Sequence, residues 1–575
     1  MKVVVAESAG FCAGVKNAMR TAIDAAEKHD GVHSLGPIIH NNQAVRLLEL
    51  RGVKTLPADC MPAGDRPVLI RAHGLHPAER ASLLDAGCRI VDATCVYVAA
   101  NQRLAAQAAA DGFAVVVAGD SGHPEVTALL GSAGDNARVV STPEDADALS
   151  VPGKIFLLAQ TTFEPDVFDA IARRLRERHA EVTVKNTICS ATHKRQAEVR
   201  QLAESVDALV VVGGKHSANT GRLADVGRSA GKKVFLVETA AEIQPGDFVD
   251  FSSVGVTAGA STPAWITQAV VDRLSELGQN SFGGMIRLVL RILLESRLLT
   301  AISAVGLSIA VQALAYLRLD WLLALAAGCY VFFAHIINRR VPDNPELRTF
   351  SGIDPFYNRN RTFLLICAWS AAFLALALGW QTGNAIIFFV AIIAALAHSR
   401  LAVEKISFIA RLRQAPGGRI VTTAIGWTLA VSGPILVGSL EIFPCGALAG
   451  LGFTFFLVAG RILIRDLYDR ENDHLMGIGT LPVHWGIAKT VGYAQSALAI
   501  ASLTLFVAAG ALAVFSAATI AWFIYAFLLA LVPLSAGELL KSAIGRRMDP
   551  VYLLCSLEGL GILAGVLGIG AGIFL

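Results

Sequence analysis

Hydrophobic and polar positions divide the chain near residue 280. Before that point, short apolar runs alternate with charged stretches, and each run ends in a polar or glycine-rich cluster. The clearest runs cover residues 68–71, 115–118, 155–158, 209–212 and 254–256. Apolar runs of this length, separated by helical stretches such as residues 78–86, are typical of buried parallel strands with crossover helices. The pattern predicts an α/β domain whose ligand crevice lies at the carboxyl ends of its strands.

The second part of the chain is dominated by long uncharged stretches. Nine hydrophobic segments follow one another, and most approach the roughly 20 apolar residues that a membrane-spanning helix needs. They cover residues 298–316, 320–337, 362–379, 384–398, 420–438, 444–464, 491–514, 516–535 and 551–574. We therefore predict an all-α transmembrane domain with nine helices at residues 298–575. It follows a first domain at residues 1–277 and a linker with an amphipathic interfacial helix at residues 278–297.

Basic residues predict how this second domain is oriented. The loops after the second, fourth, sixth and eighth segments contain most of its arginines and lysines, including Arg339, Arg411 and Arg465. In the loops on the opposite side, Arg318 is the only basic residue. Because basic loops stay on the cytoplasmic side, the pattern predicts a multi-pass protein of the inner (cytoplasmic) membrane. The first domain would then lie in the cytosol, and membrane lipid would be a partner.

Composition narrows the classes of function. The net charge of +3 is small, and no basic patch interleaved with aromatic residues occurs, so nucleic acid is not an expected partner. The apolar run after Met1 is too short for a signal peptide and predicts a first strand at residues 2–6. Nine cysteines without paired spacing indicate a reducing compartment, and metal or redox chemistry rather than disulfides.

Three cysteines stand in distinctive segments. Cys12 lies in Gly-Phe-Cys-Ala-Gly, Cys95 in Asp-Ala-Thr-Cys and Cys189 in Asn-Thr-Ile-Cys, and no two of them form a CxxC pair. Three thiolates from distant segments suit a [4Fe–4S] cluster with one iron left free of protein ligand, which can bind and activate a substrate. We expect Cys60 and Cys88 to be small buried hydrophobic residues instead.

Polar side chains in the turns after the predicted strands form a second set of candidates. Imidazoles and hydroxyls can bind a diphosphate through many hydrogen bonds, even without a cluster of basic residues. The candidates are His40, His73, His123, Thr161, Ser217, Asn219 and Ser261. Glu125 follows His123 by two residues and is the predicted proton donor, because a carboxyl group in a dry pocket beside an anion has a raised pKa.

These segments together resemble the 4-hydroxy-3-methylbut-2-enyl diphosphate reductase family (IspH/LytB). The matching segments are residues 10–15, 39–41, 72–74, 92–95, 122–126, 160–162, 187–189 and 256–261, in the order of the family. By that resemblance, Cys12, Cys95 and Cys189 hold the cluster, while Glu125 and Thr161 face the substrate hydroxyl. The residues that would bind the diphosphate are His40, His73, His123, Ser217, Asn219 and Ser261.

The resemblance also implies a fold and a reaction. The family has three similar α/β modules around a central iron–sulfur cluster. It reductively removes the hydroxyl group of its substrate to give isopentenyl and dimethylallyl diphosphate, with electrons from a ferredoxin or flavodoxin. Ala218 stands where the family usually has a hydroxyl-bearing residue in this polar run.

An acidic helix face is the chemical signal of the second domain. Asp466, Asp469 and Asp473 are spaced i, i+3 and i+7, so they share one face of a helix. At a membrane boundary such a face can hold Mg²⁺ that neutralises a diphosphate. The region resembles the second acidic motif of the UbiA-type membrane prenyltransferases, which have nine helices. Their first acidic motif would correspond to Asn338 and Asp343, although arginine stands where a further aspartate is expected.

Three hypotheses follow for the whole chain. The leading one is a reductase of isoprenoid diphosphates fused to a membrane prenyltransferase with an unassigned acceptor. The second keeps the reductase and makes the membrane domain a non-catalytic anchor that binds polyprenyl groups. The third makes the first domain a cluster-bearing redox sensor, to which Ala218 lends support and the retained Glu125 does not.

Overall fold

The computed structural model describes most of the chain. The described residues are 1–57, 66–277, 282–315, 319–339, 355–399, 415, 417–439, 444–475, 479–512, 518–545 and 550–574. Cys60 and Asp343, two residues singled out in the sequence, lie outside these ranges. The described residues form two compact units with the main division between Gly284 and Met285, inside the segment predicted as a linker.

The first unit contains three parallel sheets of four strands each. The strand orders are β1-β12-β10-β11, β3-β2-β4-β5 and β7-β6-β8-β9. Their bounds are β1 (Lys2–Val5), β2 (Val32–Leu35), β3 (Val53–Leu56), β4 (Val68–Ile70), β5 (Ile90–Asp92), β6 (Ala114–Ala118), β7 (Arg138–Val140), β8 (Ile155–Ala159), β9 (Val182–Lys185), β10 (Ala208–Val212), β11 (Lys233–Val237) and β12 (Ser253–Ala258). The predicted α/β fold with three modules is confirmed.

Helices connect the strands of the first unit. They are α1 (Ala13–Lys28), α2 (Asn42–Leu50), α3 (Pro77–Asp85), α4 (Val96–Ala110), α5 (Pro124–Ala133), α6 (Pro143–Ala148), α7 (Pro165–Arg178), α8 (Ser190–Ser205), α9 (Ala218–Ser229) and α10 (Ala264–Leu277). Each sheet packs against such helices, so inner strands such as β10 are buried at every position. Two short 3₁₀ helices, Ala240–Glu242 and Pro245–Phe248, lie between β11 and β12.

Local sequence explains why several helices begin directly after strands. Asn41 caps α2, since its Oδ1 accepts a hydrogen bond from the Ala44 N–H at 2.9 Å. His123 caps α5, and Pro124 occupies the first helical position, where its missing N–H costs nothing. The short strand-to-helix turns therefore place polar capping residues at the carboxyl ends of the strands.

The second unit is helical throughout the part that the structure describes. Its helices, with the helix that leads into it, are α11 (Phe282–Glu295), α12 (Leu298–Leu314), α13 (Trp321–Ile337), α14 (Pro355–Gln381), α15 (Ala385–His398), α16 (Gly418–Val431), α17 (Gly433–Ser439), α18 (Pro444–Leu475), α19 (Leu481–Leu512), α20 (Ala518–Gly545) and α21 (Pro550–Phe574). Each of the nine predicted hydrophobic segments overlaps one of these helices, or the pair α16 and α17, in the residues that the structure describes.

Fewer than nine of these helices are long and apolar enough to be candidate membrane spans. Among the described residues, four helical stretches are long and apolar enough: Arg359–Gln381, Cys445–Arg470, Leu481–Val507 and Tyr552–Ile569. A fifth is possible if Leu288–Glu295 and Leu298–Leu314, which are bent by 75° to each other, count as one span. These helices are consistent with a membrane-anchored region, and the number of nine spans stays a prediction.

Glycines allow α12 and α21 to pack closely. A Cβ atom added to Gly565 would lie 2.4 Å from the Gly306 Cα, and one added to Gly561 would lie 2.2 Å from the Ser303 Oγ. Gly561 and Gly565 are four residues apart and form the small-xxx-small spacing that lets helix backbones approach each other in membranes.

Candidate functional site

The six inner strands of the three sheets each lead to at least one predicted site residue. The pairs are β2 with His40, β4 with His73, β6 with His123, β8 with Thr161, β10 with Ser217 and β12 with Ser261. Because all strands within each sheet are parallel, these residues lie at the carboxyl ends of their sheets, as the sequence predicts.

The three candidate cysteines follow edge strands instead, one from each sheet. Cys12 follows β1, Cys95 follows β5 and Cys189 follows β9. Each is the N-cap residue of the next helix, α1, α4 or α8, and the Cys12 Sγ accepts a hydrogen bond from the Val15 N–H at 3.4 Å. The positive end of a helix attracts negative charge, so all three positions suit a sulfur ligand of a metal.

The structure brings the Cys95 sulfur into electrostatic range of both Cys12 and Cys189. Burial raises the pKa of Cys95, hydrogen bonds from the N–H groups of Tyr97 and Val98 oppose this rise, and the charges of Cys12 and Cys189 add to it. Three thiolates held this close repel one another unless a cation neutralises them. A metal cluster is the group that fits this donor set.

Because Gly14 has no side chain, it leaves room for the sulfur atoms of Cys95 and Cys12. A Cβ atom at this position would lie 2.5 Å from the Cys95 Sγ and 3.9 Å from the Cys12 Sγ. Sulfur atoms from two modules therefore meet over a position that only glycine can fill without displacing one of them. Cys88, by contrast, is partly buried against a core of Leu35, Val68 and Leu83, as expected for a small hydrophobic residue.

The three turn histidines form one cluster. The ring centroids of His40 and His73 are 4.7 Å apart, those of His73 and His123 are 5.4 Å apart, and those of His40 and His123 are 5.7 Å apart. One ring nitrogen from each lies within 4.8 Å of the others. The buried Nε2 of His40 and Nδ1 of His73 have no hydrogen-bond partner among the described residues. They are free to bind an oxygen-rich ligand.

Burial keeps these imidazoles neutral in the free protein. It lowers the pKa of His73 well below its ordinary value, and the charges of His40, His123 and Arg71 lower it further. Burial also lowers the pKa of His123 to about 4. The His123 Nδ1 accepts a hydrogen bond from the Glu125 N–H at 3.1 Å, so the ring hydrogen is on Nε2. His123 can therefore donate from Nε2 to an anion.

Glu125 and Thr161 form a buried acid–hydroxyl pair. The N–H of Thr161 donates to the Glu125 Oε1 at 2.7 Å, and the Thr161 hydroxyl donates to Oε2 at 2.8 Å. Burial raises the pKa of Glu125 to about 7, although the hydrogen bonds from Thr161 oppose the rise. The carboxyl group can therefore hold a proton near neutral pH and release it to a neighbouring oxygen.

Ser217, Asn219 and Ser261 surround the same region. The Ser261 hydroxyl donates to the carbonyl oxygen of His40 at 3.5 Å, and a Cβ atom on Gly214 would lie 2.7 Å from that same oxygen. Ser217 is the N-cap residue of α9, and the buried Asn219 Nδ2 has no hydrogen-bond partner among the described residues. The turns after β10 and β12 thus approach the His40 segment from another sheet.

Three arginines at the site were not foreseen from the sequence. Arg222 donates to the Asp120 Oδ1 at 2.6 Å and to the Thr162 carbonyl oxygen at 2.8 Å, so it supports the turn that carries Thr161. Arg71 affects the charge of the histidine cluster, and Arg195 lies near the cysteines. Each is a single arginine without a motif, so no sequence signal pointed to it.

The three candidate aspartates of the second unit all lie on α18, and two of them are paired with arginines. Asp466 accepts a hydrogen bond from Arg419, and Asp469 pairs with Arg465 at 3.5 Å. Asp473 is buried. Among the described residues, these three carboxylates do not form a set whose ligand atoms all lie within 4.8 Å of one another.

Asn338, the candidate of the first acidic motif, mainly ties two helices together. Its Nδ2 donates to the carbonyl oxygens of Ala334 at 3.0 Å and Ala395 at 3.2 Å. Its Oδ1 is buried and accepts no hydrogen bond from the residues that the structure describes. The neighbouring Arg339 donates to the Glu295 carbonyl oxygen at 2.9 Å and stacks on Tyr357.

Comparison with known proteins gives matches to the first unit. Residues 3–275 match the family described as LytB protein. The chain is 42% identical over 282 residues to a 4-hydroxy-3-methylbut-2-enyl diphosphate reductase of Pelobacter propionicus, and the match covers 49% of this chain and 100% of that protein. The reductase of Aquifex aeolicus is 38% identical over 279 residues, which cover 48% of this chain and 96% of that protein.

Two solved structures are also similar to parts of the chain. One is the structure of (E)-4-hydroxy-3-methyl-but-2-enyl diphosphate reductase, the terminal enzyme of the non-mevalonate pathway. It is 38% identical, with a TM-score of 0.39, and the match covers 48% of this chain and 100% of that chain. The other is a UbiA homolog from Archaeoglobus fulgidus bound to GPP and Mg²⁺, which is 15% identical with a TM-score of 0.35 over 48% of this chain and 98% of that chain.

Proposed function

The chain belongs to the LytB family through residues 3–275, and from this membership we propose that its first unit reduces 4-hydroxy-3-methylbut-2-enyl diphosphate. The hydroxyl group leaves as water, and the products are isopentenyl and dimethylallyl diphosphate. Two electrons arrive one at a time from a ferredoxin or flavodoxin. The observation that carries the proposal is the pairing of a proton-holding Glu125 with Thr161, at strand ends that also bear the histidine cluster.

Cys12, Cys95 and Cys189 are the residues that would hold a [4Fe–4S] cluster. Their positions at three helix N-termini, one from each sheet, and the sulfur-sized space over Gly14 support this assignment. When bound, such a cluster supplies single electrons and an iron free of protein ligand that acts as a Lewis acid.

Glu125 is the proposed proton donor. With a pKa of about 7, the carboxyl group is about half protonated at neutral pH. When the proton is on Oε2, that oxygen donates to the Thr161 Oγ1, and the Thr161 hydroxyl hydrogen is free to turn toward the substrate. The Thr161 N–H keeps its bond to Oε1, so the carboxyl group does not move during this exchange.

The histidine cluster is the proposed diphosphate site. Three neutral imidazoles present ring nitrogens to one point, and the negative charge of a diphosphate favours protonation of any ring nitrogen it contacts. Ser217, Asn219 and Ser261 add neutral donors. This arrangement binds a highly charged group without leaving several uncompensated positive charges in the empty site.

The test of the reductase proposal is the Glu125→Gln variant of the anaerobically purified full chain. It should keep its iron and bind the diphosphate substrate, yet lose about 10²–10⁴-fold in turnover, because a general acid typically contributes that much. Glu144→Gln makes the same chemical change on the exposed first turn of α6 and should turn over normally. Normal turnover by Glu125→Gln would assign the proton transfer to another group. Absence of turnover in the wild-type chain would favour a redox sensor.

For the second unit we propose transfer of a prenyl group from an isoprenoid diphosphate, with Mg²⁺ as cofactor. Support comes from Asp466, Asp469 and Asp473 on one helix, and from the buried Asn338 Oδ1, which accepts no hydrogen bond from the described residues. Arg419 and Arg465 hold two of these carboxylates, so they would have to exchange partners when Mg²⁺ binds.

Membranes that contain the full chain test this second proposal. They should release diphosphate from a long-chain prenyl diphosphate only with Mg²⁺, and Asp469→Ala should abolish the release while reductase turnover stays unchanged. If the wild-type chain releases no diphosphate, the second unit is better described as a polyprenyl-binding anchor.

A further inference from the structure

Arg195 lies buried beside the candidate cluster cysteines. It is on α8, six residues after Cys189, and only 4% of its surface is exposed. Its Nη2 donates to the carbonyl oxygen of Gly10 at 2.6 Å, two residues before Cys12. Its Nε is buried and has no hydrogen-bond partner among the described residues. One side chain thus connects the segments of two cysteines that are far apart in sequence.

The charge of Arg195 is not needed for that connection. A neutral donor could also bond to the Gly10 carbonyl oxygen, whereas burying a guanidinium is costly unless negative charge is near. Burial lowers the pKa of Arg195, and negative charge at Cys12, Cys189 and Glu198 would oppose this lowering. The Glu198 carboxylate already accepts hydrogen bonds from the Ser8 backbone N–H and the Ser8 hydroxyl.

We infer that Arg195 is a positioning and charge-compensating residue that makes the iron–sulfur centre easier to reduce. The inference rests on the proposed function, since it takes the cluster to be held by Cys12, Cys95 and Cys189. Reduction adds one electron to the centre and breaks no bond. A fixed positive charge in a buried, poorly screened environment stabilises the reduced form, because Coulomb attraction is strong where water is excluded.

The same charge also opposes the repulsion among the thiolates that metal binding requires. The three sulfurs come from three different sheets, so their mutual repulsion acts directly against the docking of the modules. Arg195 offsets this repulsion at two of the three positions, from the helix that Cys189 caps.

Redox titration of the anaerobically purified full chain tests the inference. We would compare wild type with Arg195→Gln, which removes the charge, Arg195→Lys, which keeps it, and Lys194→Gln, which removes a charge from the adjacent exposed position. Midpoint potentials would be followed by electron paramagnetic resonance, with iron content measured on the same samples. Arg195→Gln should shift the midpoint potential to more negative values, while Arg195→Lys and Lys194→Gln should stay near wild type.

Each other outcome is decisive. An unchanged potential in Arg195→Gln, or an equal shift in Lys194→Gln, overturns the inference. So does a shift in Arg195→Lys as large as that in Arg195→Gln, because shape rather than charge would then be responsible. If Arg195→Gln retains no iron, Arg195→Lys decides: iron and potential like wild type support the inference, and loss of iron overturns it. A wild-type chain without an iron–sulfur centre would instead refute the proposed function.

Discussion

Burial of the Glu125 carboxyl group sets the pH range in which it can act as an acid. Its pKa of about 7 is raised above the ordinary value, so the proton that the reaction needs is present below neutral pH and is lost above it. We predict that turnover of the anaerobic enzyme falls about tenfold per pH unit above pH 7. The measurement is the dependence of kcat/KM on pH, which reports the essential acid of the free enzyme. A flat profile through this range would contradict the role of Glu125.

The histidine cluster makes a separate prediction about substrate binding. Burial lowers the pKa of His40, His73 and His123 in the free protein, and a bound diphosphate should raise these pKa values. Binding should therefore take up protons and tighten as pH falls toward the raised values. Calorimetry with inorganic diphosphate in buffers of different ionisation enthalpy measures the uptake.

Two variants distinguish the contribution of the histidine cluster to diphosphate binding from that of other histidines. His73→Ala should weaken diphosphate binding and reduce the proton uptake, whereas His193→Ala removes an exposed histidine from α8 and should change neither. Proton release on binding, or the same uptake in His73→Ala as in wild type, would show that the cluster is not the binding site.

Single residues also mark the limit of what the sequence predicts. The turn histidines, Glu125 and the three cysteines stand in recognisable segments, and the structure brings the histidines together. Arg222 pairs with Asp120 from 102 residues away, and Arg195 reaches Gly10 across 185 residues. Such partners depend on how separate sheets dock, which no local pattern contains.

Whether a strand can be predicted from the sequence depends on its position in the sheet. β10 is buried at every residue and forms an uninterrupted apolar run, so it was predicted. β9, at the edge of its sheet, exposes alternate residues and includes a lysine, so it gave no comparable run. In the second unit, a predicted hydrophobic segment overlaps each helix from α12 to α21, but apolar composition alone does not distinguish a membrane span from a shorter apolar helix such as α15, which exposes Ile386 and Phe389.

At the element scale, the packing of α1 against Cys95 predicts the effect of one methyl group. Gly14→Ala should lose most of its iron and sulfide, since the new Cβ would lie 2.5 Å from the Cys95 Sγ. Alanine otherwise favours a helix over glycine, so the loss would isolate the sulfur contact. Gly221→Ala, on α9 with nothing within 4 Å of its Cβ, is the matched control and should keep a full cluster. Equal iron in both variants would argue against a cluster at this place.

The close packing of α12 against α21 leads to a similar prediction for the second unit. Gly565→Ala should lower the unfolding free energy of that unit by about 1–3 kcal/mol, because its Cβ would overlap the Gly306 backbone. Gly559→Ala, on the same helix with nothing within 4 Å, should have no such effect. Unfolding in detergent, followed by the loss of helical circular dichroism, measures the difference. Equal stabilities would mean that the two helices do not pack through these glycines.

For the whole molecule, family membership accounts for the first unit and not for the second. The Pelobacter relative is covered completely by 49% of this chain, and the α/β unit has its own hydrophobic cores on its sheets. The reaction proposed for that unit therefore needs no residue of the second. The two proposed activities would be connected through isoprenoid diphosphates. The product proposed for the first unit would supply the reactions that build the prenyl donor proposed for the second.

Anaerobic turnover of 4-hydroxy-3-methylbut-2-enyl diphosphate by the full chain tests the central claim most directly. With a one-electron reductant, the protein that carries iron and sulfide should convert this substrate to isopentenyl and dimethylallyl diphosphate. Cys95→Ser should lose both the iron–sulfur chromophore and the products, while Cys88→Ser, which alters a partly buried cysteine packed against a hydrophobic core, should retain both. No C5 product from a preparation with a full complement of iron and sulfide would contradict the account.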